Sequence, residues 1–233
     1  LLIALADPLG EKIARRSLIL APGFLDGLIN LATARLHRGA TDEAIQTFRD
    51  LIRRTPDRLD LHDRLANALE AGGYFDRALP WRRRQACFSP DSPEIYGGVA
   101  NSLTMIGDGD GARRHLICGT TLKPTAAGRF RSAHVQNRVP RNAEEIARCR
   151  ARLHGFLDQA ETEALSVADP IREIGVTNFS FTYHDQNNRE LASRTAEFNL
   201  RVCPSLGWTA PHCRRRPTPG RRIRLAIVSV LLG

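Results

Sequence analysis

The 233-residue chain lacks the features that mark membrane, secreted disulfide-bonded and zinc proteins. No apolar run approaches the roughly 18 residues that a membrane-spanning helix needs. The opening segment 1–6 is too short for a signal peptide and has neither a basic leader nor a cleavage site. The five cysteines are scattered and form no Cys-x-x-Cys pair, so neither a disulfide framework nor a metal site is predicted. We therefore expect reduced thiols in a cytoplasmic protein that contacts no membrane.

Lysine is nearly absent, since Lys12 and Lys123 are the only two, although the net charge is +9. The positive charge is therefore almost all arginine, a bias more typical of a GC-rich coding background than of phosphate contacts. The run 82–84 falls within a predicted helix, where it is interpreted as a solvated face. Nucleic acid is kept as a third hypothesis that depends on charge alone.

A short pattern recurs three times at a spacing of 34 residues. Alanine, glycine, alanine and proline positions follow one another in step through all three copies. These columns are Ala32, Ala66 and Ala100; Gly39, Gly73 and Gly107; Ala44, Ala78 and Ala112; and Pro56, Pro90 and Pro124. A fixed period of this length is typical of a solenoid, in which each unit buries its apolar face against the next.

The first complete unit contains two helical patterns joined by a turn. The apolar stripes are Leu28, Leu31, Ala32 and Leu36 in the first helix and Ala44, Phe48, Leu51 and Ile52 in the second. Gly39 supplies the left-handed residue that ends the first helix, and Pro56 closes the unit. Thr41 is expected to cap the second helix.

This unit resembles the tetratricopeptide repeat, which has a small residue in helix A, Ala-x-x-x-Phe in helix B and a terminal proline. The resemblance predicts a mainly α fold, a superhelix of about three and a half helix-turn-helix units at 1–126. The units are a partial one at about 1–24 and complete ones at 25–58, 59–92 and 93–126. The second unit departs from the pattern at Arg82, where the aromatic is expected, and at Pro80. Proline costs a helix interior about 3 kcal/mol, and less near a helix start.

Repeats of this class bind peptides or protein surfaces along the concave face formed by their A helices. The positions predicted to point there are Asn30, Thr33, Arg64, Asn67 and Asn101, with Gly98 at the third-unit equivalent of Asn30. An asparagine amide both donates and accepts hydrogen bonds, so it can hold an extended chain through the backbone. We therefore predict that an acceptor protein or peptide binds this face. The alternative is that these are ordinary solvated polar positions.

The period stops at Pro124, and residues 127–213 predict a helical connector. Asn142 is expected to cap a helix that runs to about Val167, and another helix is predicted at 190–200. Between them, the β-branched and aromatic segment 176–183 fits either a strand or the start of a helix. Residues 214–233 comprise an Arg/Pro-rich linker and a buried-type strand at 223–230.

Two segments carry a second resemblance. The first is Asn178-Phe179-x-Phe181-x-Tyr183-His184 followed by Asn187-x-Arg189, and the second is Arg221-Arg222-Ile223-Arg224-Leu225, which opens a strand ending in Ser229. Preceded by the repeats, this order resembles the bacterial SPINDLY-type, O-linked N-acetylglucosamine transferase family. The resemblance implies that the repeats select an acceptor protein and that two Rossmann-like lobes bind a UDP- or GDP-sugar.

The main hypothesis is therefore a fragment of a protein O-glycosyltransferase that transfers sugar to Ser or Thr. The chain does not begin with Met, and it ends before the histidine segment and the diphosphate-binding groups of that family. We thus expect no catalytic, cofactor-binding or metal-binding residue here, an inactive fragment, and a final strand that opens a truncated lobe. His184 is expected to pack at a helical junction. The alternative is a non-catalytic tetratricopeptide-repeat scaffold for protein–protein interaction. The sugar, the acceptor and the oligomeric state stay open.

Overall fold

The computed structural model describes residues 8–21 and 23–211, and this part of the chain is mainly helical. It contains eleven α-helices, two short 3₁₀ helices at Asn178–His184 and Pro204–Gly207, and no strand. The α-helices are α1 (Pro8–Leu20), α2 (Leu25–His37), α3 (Thr41–Arg54), α4 (Leu59–Ala71), α5 (Phe75–Phe88), α6 (Pro93–Met105), α7 (Gly109–Leu122), α8 (Ala126–His134), α9 (Ala143–Ala160), α10 (Pro170–Glu173) and α11 (Arg189–Val202).

Helices α2 to α7 form three successive hairpins. The A helices α2, α4 and α6 begin 34 residues apart, as do the B helices α3, α5 and α7, and each helix packs on the next along the chain. The small residues Ala32, Ala44 and Ala78 are fully buried where the helices meet, with Phe48 and Leu65 between them. The predicted fold, a helix-turn-helix array, is confirmed.

Glycine makes the turn within each hairpin. Gly39, Gly73 and Gly107 have φ angles of 81°, 78° and 93°, a left-handed conformation that residues with a Cβ rarely adopt. The predicted helix ends are confirmed, because each glycine follows the last turn of an A helix and reverses the chain. The predicted role of Thr41 is wrong. It is the first residue of α3, the preceding Ala40 occupies the N-cap, and no side chain caps this helix.

The helix spacing persists beyond the sequence pattern. Helix α9 begins 34 residues after α7, and α8 packs between α7 and α9 in the place of a further A helix. The alanine, glycine and proline columns end before this hairpin. A longer turn at 135–142 joins its helices and is held by side-chain hydrogen bonds. Helix α1 packs on α2 at the other end, within the partial unit predicted at about 1–24.

The connector has its own aromatic core. Phe130 of α8 stacks on Phe198 of α11 with ring centroids 5.2 Å apart, and Phe156 meets both rings edge-on. Helix α9 is capped by Asn142 as predicted, but it ends at Ala160 rather than near Val167. Beyond that end, the Val167 amide donates to the Val202 carbonyl at 2.9 Å, which joins this segment to the end of α11.

Segment 176–183, which fits either a strand or a helix start, forms most of a 3₁₀ helix, with Phe181 and His184 buried. The predicted helix at 190–200 is confirmed as α11. The predicted linker and the strand at 223–230 lie outside the described residues. Within residues 8–21 and 23–211, no helix is long and apolar enough to cross a membrane.

Candidate protein-binding face

The predicted binding residues lie on the A helices, and we call the polar positions of α2, α4 and α6 that include Asn30, Arg64, Asn67 and Asn101 the A-helix face. Asn30 and Asn101 are exposed, and their amides make no hydrogen bond within the described part of the chain. Thr33 is half-buried, and its hydroxyl donates to the Ile29 carbonyl at 2.8 Å. The two terminal asparagines of the face therefore present both a donor and an acceptor to solvent.

The central part of the face is hydrogen-bonded within the protein. Arg64 Nη1 lies 3.4 Å from Thr33 Oγ1, which joins α4 to α2. Asn67 Nδ2 donates to Asp63 Oδ2 at 3.0 Å, and Asn67 Oδ1 accepts from Arg82. Both ends of the Asn67 amide are therefore engaged, in contrast to those of Asn30 and Asn101.

Arg82 is the main correction to the sequence interpretation, since it does not belong to a solvated face. Its exposed fraction is 7%, and it occupies in α5 the column that Phe48 fills in α3. Arg82 Nε and Nη2 donate to the two carboxylate oxygens of Glu70 at 3.0 and 2.8 Å, and Nη1 donates to Asp63 at 2.6 Å. The fold tolerates a buried arginine here because carboxylate oxygens accept hydrogen bonds from its guanidinium.

The neighbouring A helix completes this cluster. Ser102 of α6 donates to Glu70 at 2.7 Å, so the carboxylate links three helices. A Cβ at Gly98 would lie 3.2 Å from Arg82 Nε, so the guanidinium fits beside a residue without a side chain. Burial acts to lower the pKa of Arg82, but Glu70 and Asp63 outweigh it, and the net pKa is raised. The side chain therefore stays charged.

A cavity of about 360 Å³ opens next to Asn101, between α6, α8, the 135–138 turn and segment 176–180. This volume is within the range of protein ligand pockets. The lining residues on which the argument depends are Asn101, Met105, Arg131, Gln136, Arg138 and Phe179. The cavity thus combines amide, cationic and apolar groups at one end of the A-helix face.

Asn137 fixes the turn that forms one wall of the cavity. Its Oδ1 accepts from the backbone amides of Gly109 and Asp110 at 2.7 and 3.3 Å, and its Nδ2 donates to Glu145. The turn lies directly against α7, because a Cβ added at Gly109 would be 2.0 Å from the carbonyl carbon of Gln136. Gly109 is therefore required for this approach, a role distinct from that of the turn glycines.

His134 lies on the inner side of the same wall. Burial lowers its pKa to about 4, with an opposing contribution from the hydrogen bond to Asn178, whose Oδ1 lies 3.1 Å from Nε2. The imidazole is therefore neutral at physiological pH. It packs edge-on to Phe181 at 5.2 Å, and this contact joins α8 to the 178–184 helix.

The rim of the cavity is apolar and open. Phe179 and Tyr183 are each 66% exposed, and their rings meet edge-on at 5.7 Å. Met105 and Val176 are also exposed beside them. Exposed aromatic side chains grouped beside a cavity are typical of surfaces that bind other proteins.

The sequence predicted Asn101 as a residue of the binding face, but it predicted neither the cavity beside Asn101 nor the burial of Arg82. The signal for Arg82 was its position in a buried column with acidic residues on the facing helix. No comparable signal existed for Arg131, Gln136 and Phe179, which come together only in three dimensions. In the described ranges, no group of three or more His, Cys, Asp or Glu side chains is placed to share a metal ion.

No protein-family model matches the chain. Over 92 residues, 37% of its length, the chain is 29% identical to TPR repeat-containing protein YpiA of Bacillus subtilis (strain 168), and the match spans 22% of that relative. Among solved structures, a MamA RS-1 double mutant matches with a TM-score of 0.52 and 11% identity, over 66% of this chain and 86% of the other. A thermophilic TPR protein of Thermus thermophilus gives a TM-score of 0.43 and 20% identity, over 66% of this chain and 82% of the other.

The 34-residue hairpin period, the turn glycines and the structural match together define the fold. It is a tetratricopeptide-repeat superhelix. The same fold carries many functions, so the site itself must supply the functional argument.

Proposed function

We propose that the chain is a protein-interaction scaffold, whose A-helix face binds an extended segment of a partner protein. The repeat fold supports this proposal, because stacked hairpins build extended surfaces rather than enclosed active sites. The observation that carries it is the position of Asn101. Its exposed amide has no partner among the described residues and lies at the edge of the cavity. A peptide backbone satisfies such an amide whatever its side chains are.

The test is to pan a displayed library of random peptides on the immobilised chain and to titrate selected peptides by fluorescence anisotropy. We expect Asn101→Ala to weaken binding about five- to tenfold, the effect of losing one or two hydrogen bonds. The matched control is Gln46→Ala, because Gln46 is an exposed amide on the B helix α3. Equal affinities for both variants would place the binding site elsewhere.

We also propose a finer hypothesis, that the partner is the acceptor of a nucleotide-sugar-dependent O-glycosyltransferase. The family resemblance of residues 178–189 supports it, and this segment adjoins the A-helix face, where residues up to Ser180 line the cavity. Proteins captured by the chain should carry hexose or N-acetylhexosamine on Ser or Thr, and mass spectrometry should find fewer of them after capture by Asn101→Ala. If the captured proteins carry no such sugar, the glycosyltransferase hypothesis fails and only the scaffold proposal remains.

The donor sugar is expected to require groups outside this chain. We therefore expect no saturable heat of binding when UDP- or GDP-sugar is titrated into the protein. Saturable binding of either donor would overturn that expectation. His184 is not proposed as a catalytic base, since it is buried against Phe181 and burial lowers its pKa.

A further inference from the structure

The B helices carry a row of basic side chains on the layer of the array away from the A-helix face. Five positions of α1 recur at the 34-residue period in α3 and α5, and none of these fifteen residues is buried. We call them the B-helix stripe: Lys12, Arg15, Arg16, Ile19 and Leu20; Gln46, Arg49, Asp50, Arg53 and Arg54; and Pro80, Arg83, Arg84, Cys87 and Phe88. Eight of the fifteen are basic and one is acidic, so successive units place cations in the same register.

The array leaves most of this charge without a counter-ion. Arg15 pairs with Glu11 and Arg53 pairs with Asp50, both at 2.7 Å, whereas the other six basic residues have no carboxylate partner in the described part of the chain. Helices α1, α3 and α5 contain ten basic and five acidic residues, but the A helices α2, α4 and α6 contain two arginines and five acidic residues. The two layers of the array therefore have opposite net charge.

Helix stability does not account for the row. A cation favours the helix dipole only in the last turn of a helix, and among these residues only Arg53 and Arg54 are placed there. The last turns of α1 and α5 contain no basic residue, so Arg15 and Arg83 gain nothing from their helix ends. Cations that recur once per repeat instead suit a ligand with a regular series of negative charges.

An exposed aromatic ring lies within the same stripe. Phe88 is 53% exposed, and the Arg84 guanidinium lies 5.7 Å from the centre of its ring. Single-stranded nucleic acid matches both groups, because its phosphates pair with arginine and its bases stack on aromatic side chains. We propose that the B-helix stripe binds single-stranded nucleic acid, with phosphates on its arginines and a base on Phe88. This activity is additional to the proposed peptide binding and uses the other layer of the array.

The experiment titrates the full chain into fluorescein-labelled dT and U oligonucleotides of about 20 nucleotides, longer than a usual single-stranded site. Anisotropy is followed at several NaCl concentrations. We expect the double variant Arg83→Gln, Arg84→Gln to bind about tenfold more weakly, and its slope of log affinity against log salt to shrink by about 1.4, the effect of two phosphate contacts. The control is Arg148→Gln with Arg189→Gln, which removes the same charge from exposed positions of α9 and α11 and should bind like the unaltered chain.

A second pair of variants tests the stacking contact. Phe88→Ala should weaken binding about fivefold or more, the effect of losing one stacked base. Leu122→Ala is the matched control, because Leu122 holds the same position in the next unit and is 44% exposed. Equal losses in the two variants would contradict a base on Phe88.

Competition identifies the kind of anion. Polyglutamate and phosphatidylserine vesicles, added at equal charge, should displace the labelled oligonucleotide less well than unlabelled oligonucleotide does. Displacement by either one as effective as that by oligonucleotide would assign the stripe to acidic proteins or to lipid and overturn the proposal. So would equal affinity of the two arginine double variants, which would place the binding outside the stripe. Peptide selection on the A-helix face is a separate measurement, so either function can fail without the other.

Discussion

Arg82 of α5 and Glu70 of α4 meet in a two-point ion pair, with Nε–Oε1 and Nη2–Oε2 distances of 3.0 and 2.8 Å. Arg82 occupies the position that Phe48 has in the preceding unit, so a charged side chain is buried in one repeat where an aromatic ring is buried in the other. Because Glu70 also accepts from Ser102, the pair connects the second and third hairpins. Its first consequence is for stability.

Arg82→Ala should lower the free energy of unfolding by about 3 kcal/mol, because the half-buried Glu70 would be left without its counter-ion and the space that Arg82 fills would be empty. Urea denaturation followed by circular dichroism measures the change. The control is Arg83→Ala, since Arg83 is exposed on the same helix and a surface substitution should change stability by less than about 0.5 kcal/mol. Similar midpoints for the two variants would show that the cluster contributes little.

Gly109→Ala should destabilise the protein strongly, because the added Cβ would lie 2.0 Å from the backbone of Gln136. The 135–142 turn would have to move away from α7, which would also break the hydrogen bond from the Gly109 amide to Asn137. A thermal melt should show a fall of several degrees. Gly97→Ala is the matched control. Nothing lies within 4 Å of a Cβ there, and alanine favours a helix by about 1 kcal/mol over glycine. A melt in which Gly109→Ala equals Gly97→Ala would contradict the close approach.

Pro80→Ala should stabilise the chain by about 1 kcal/mol or more. The sequence places Pro80 near the start of a helix, but α5 begins at Phe75, so Pro80 lies beyond the first turn. Proline there cannot donate to the Asp76 carbonyl, and the ring is exposed, so its removal costs little packing. A higher denaturation midpoint for the variant is the expected result. An unchanged or lower midpoint would mean that α5 depends on the shape that proline gives it.

The repeats could be predicted from sequence because their signal is local and repeated. Each turn glycine and each buried alanine recurs in phase, so three copies confirm one another. Arg82 was misjudged because the neighbouring arginines suggested an exposed run, whereas its column placed it in the core. The repeat position that Arg82 shares with Phe48 predicted its burial correctly, since position along the hairpin determines which residues of a repeat are buried.

The remaining features depend on contacts between distant segments. Helices α8 and α9 continue the spacing after the columns end, because packing on α7 requires an apolar face and not a particular alanine. The cavity joins residues near positions 101, 131, 136 and 179, which no local pattern relates. Only the asparagine at its edge could be expected from the repeat.

His134 should make stability fall as pH decreases from about 6.5 to about 4. Its pKa is lowered from 6.5 to about 4 in the folded chain, chiefly by burial, so in this window the unfolded chain takes up a proton that the folded chain does not. Above 6.5 both states are neutral, and below 4 both are charged, so the loss is confined to the interval and amounts to about 2 to 3 kcal/mol at pH 4.5. Urea titrations at pH 7.5 and 4.5 on the protein and on His134→Gln isolate this contribution, because the other titrating groups are common to both. An equal fall in both proteins would assign the acid sensitivity to other residues.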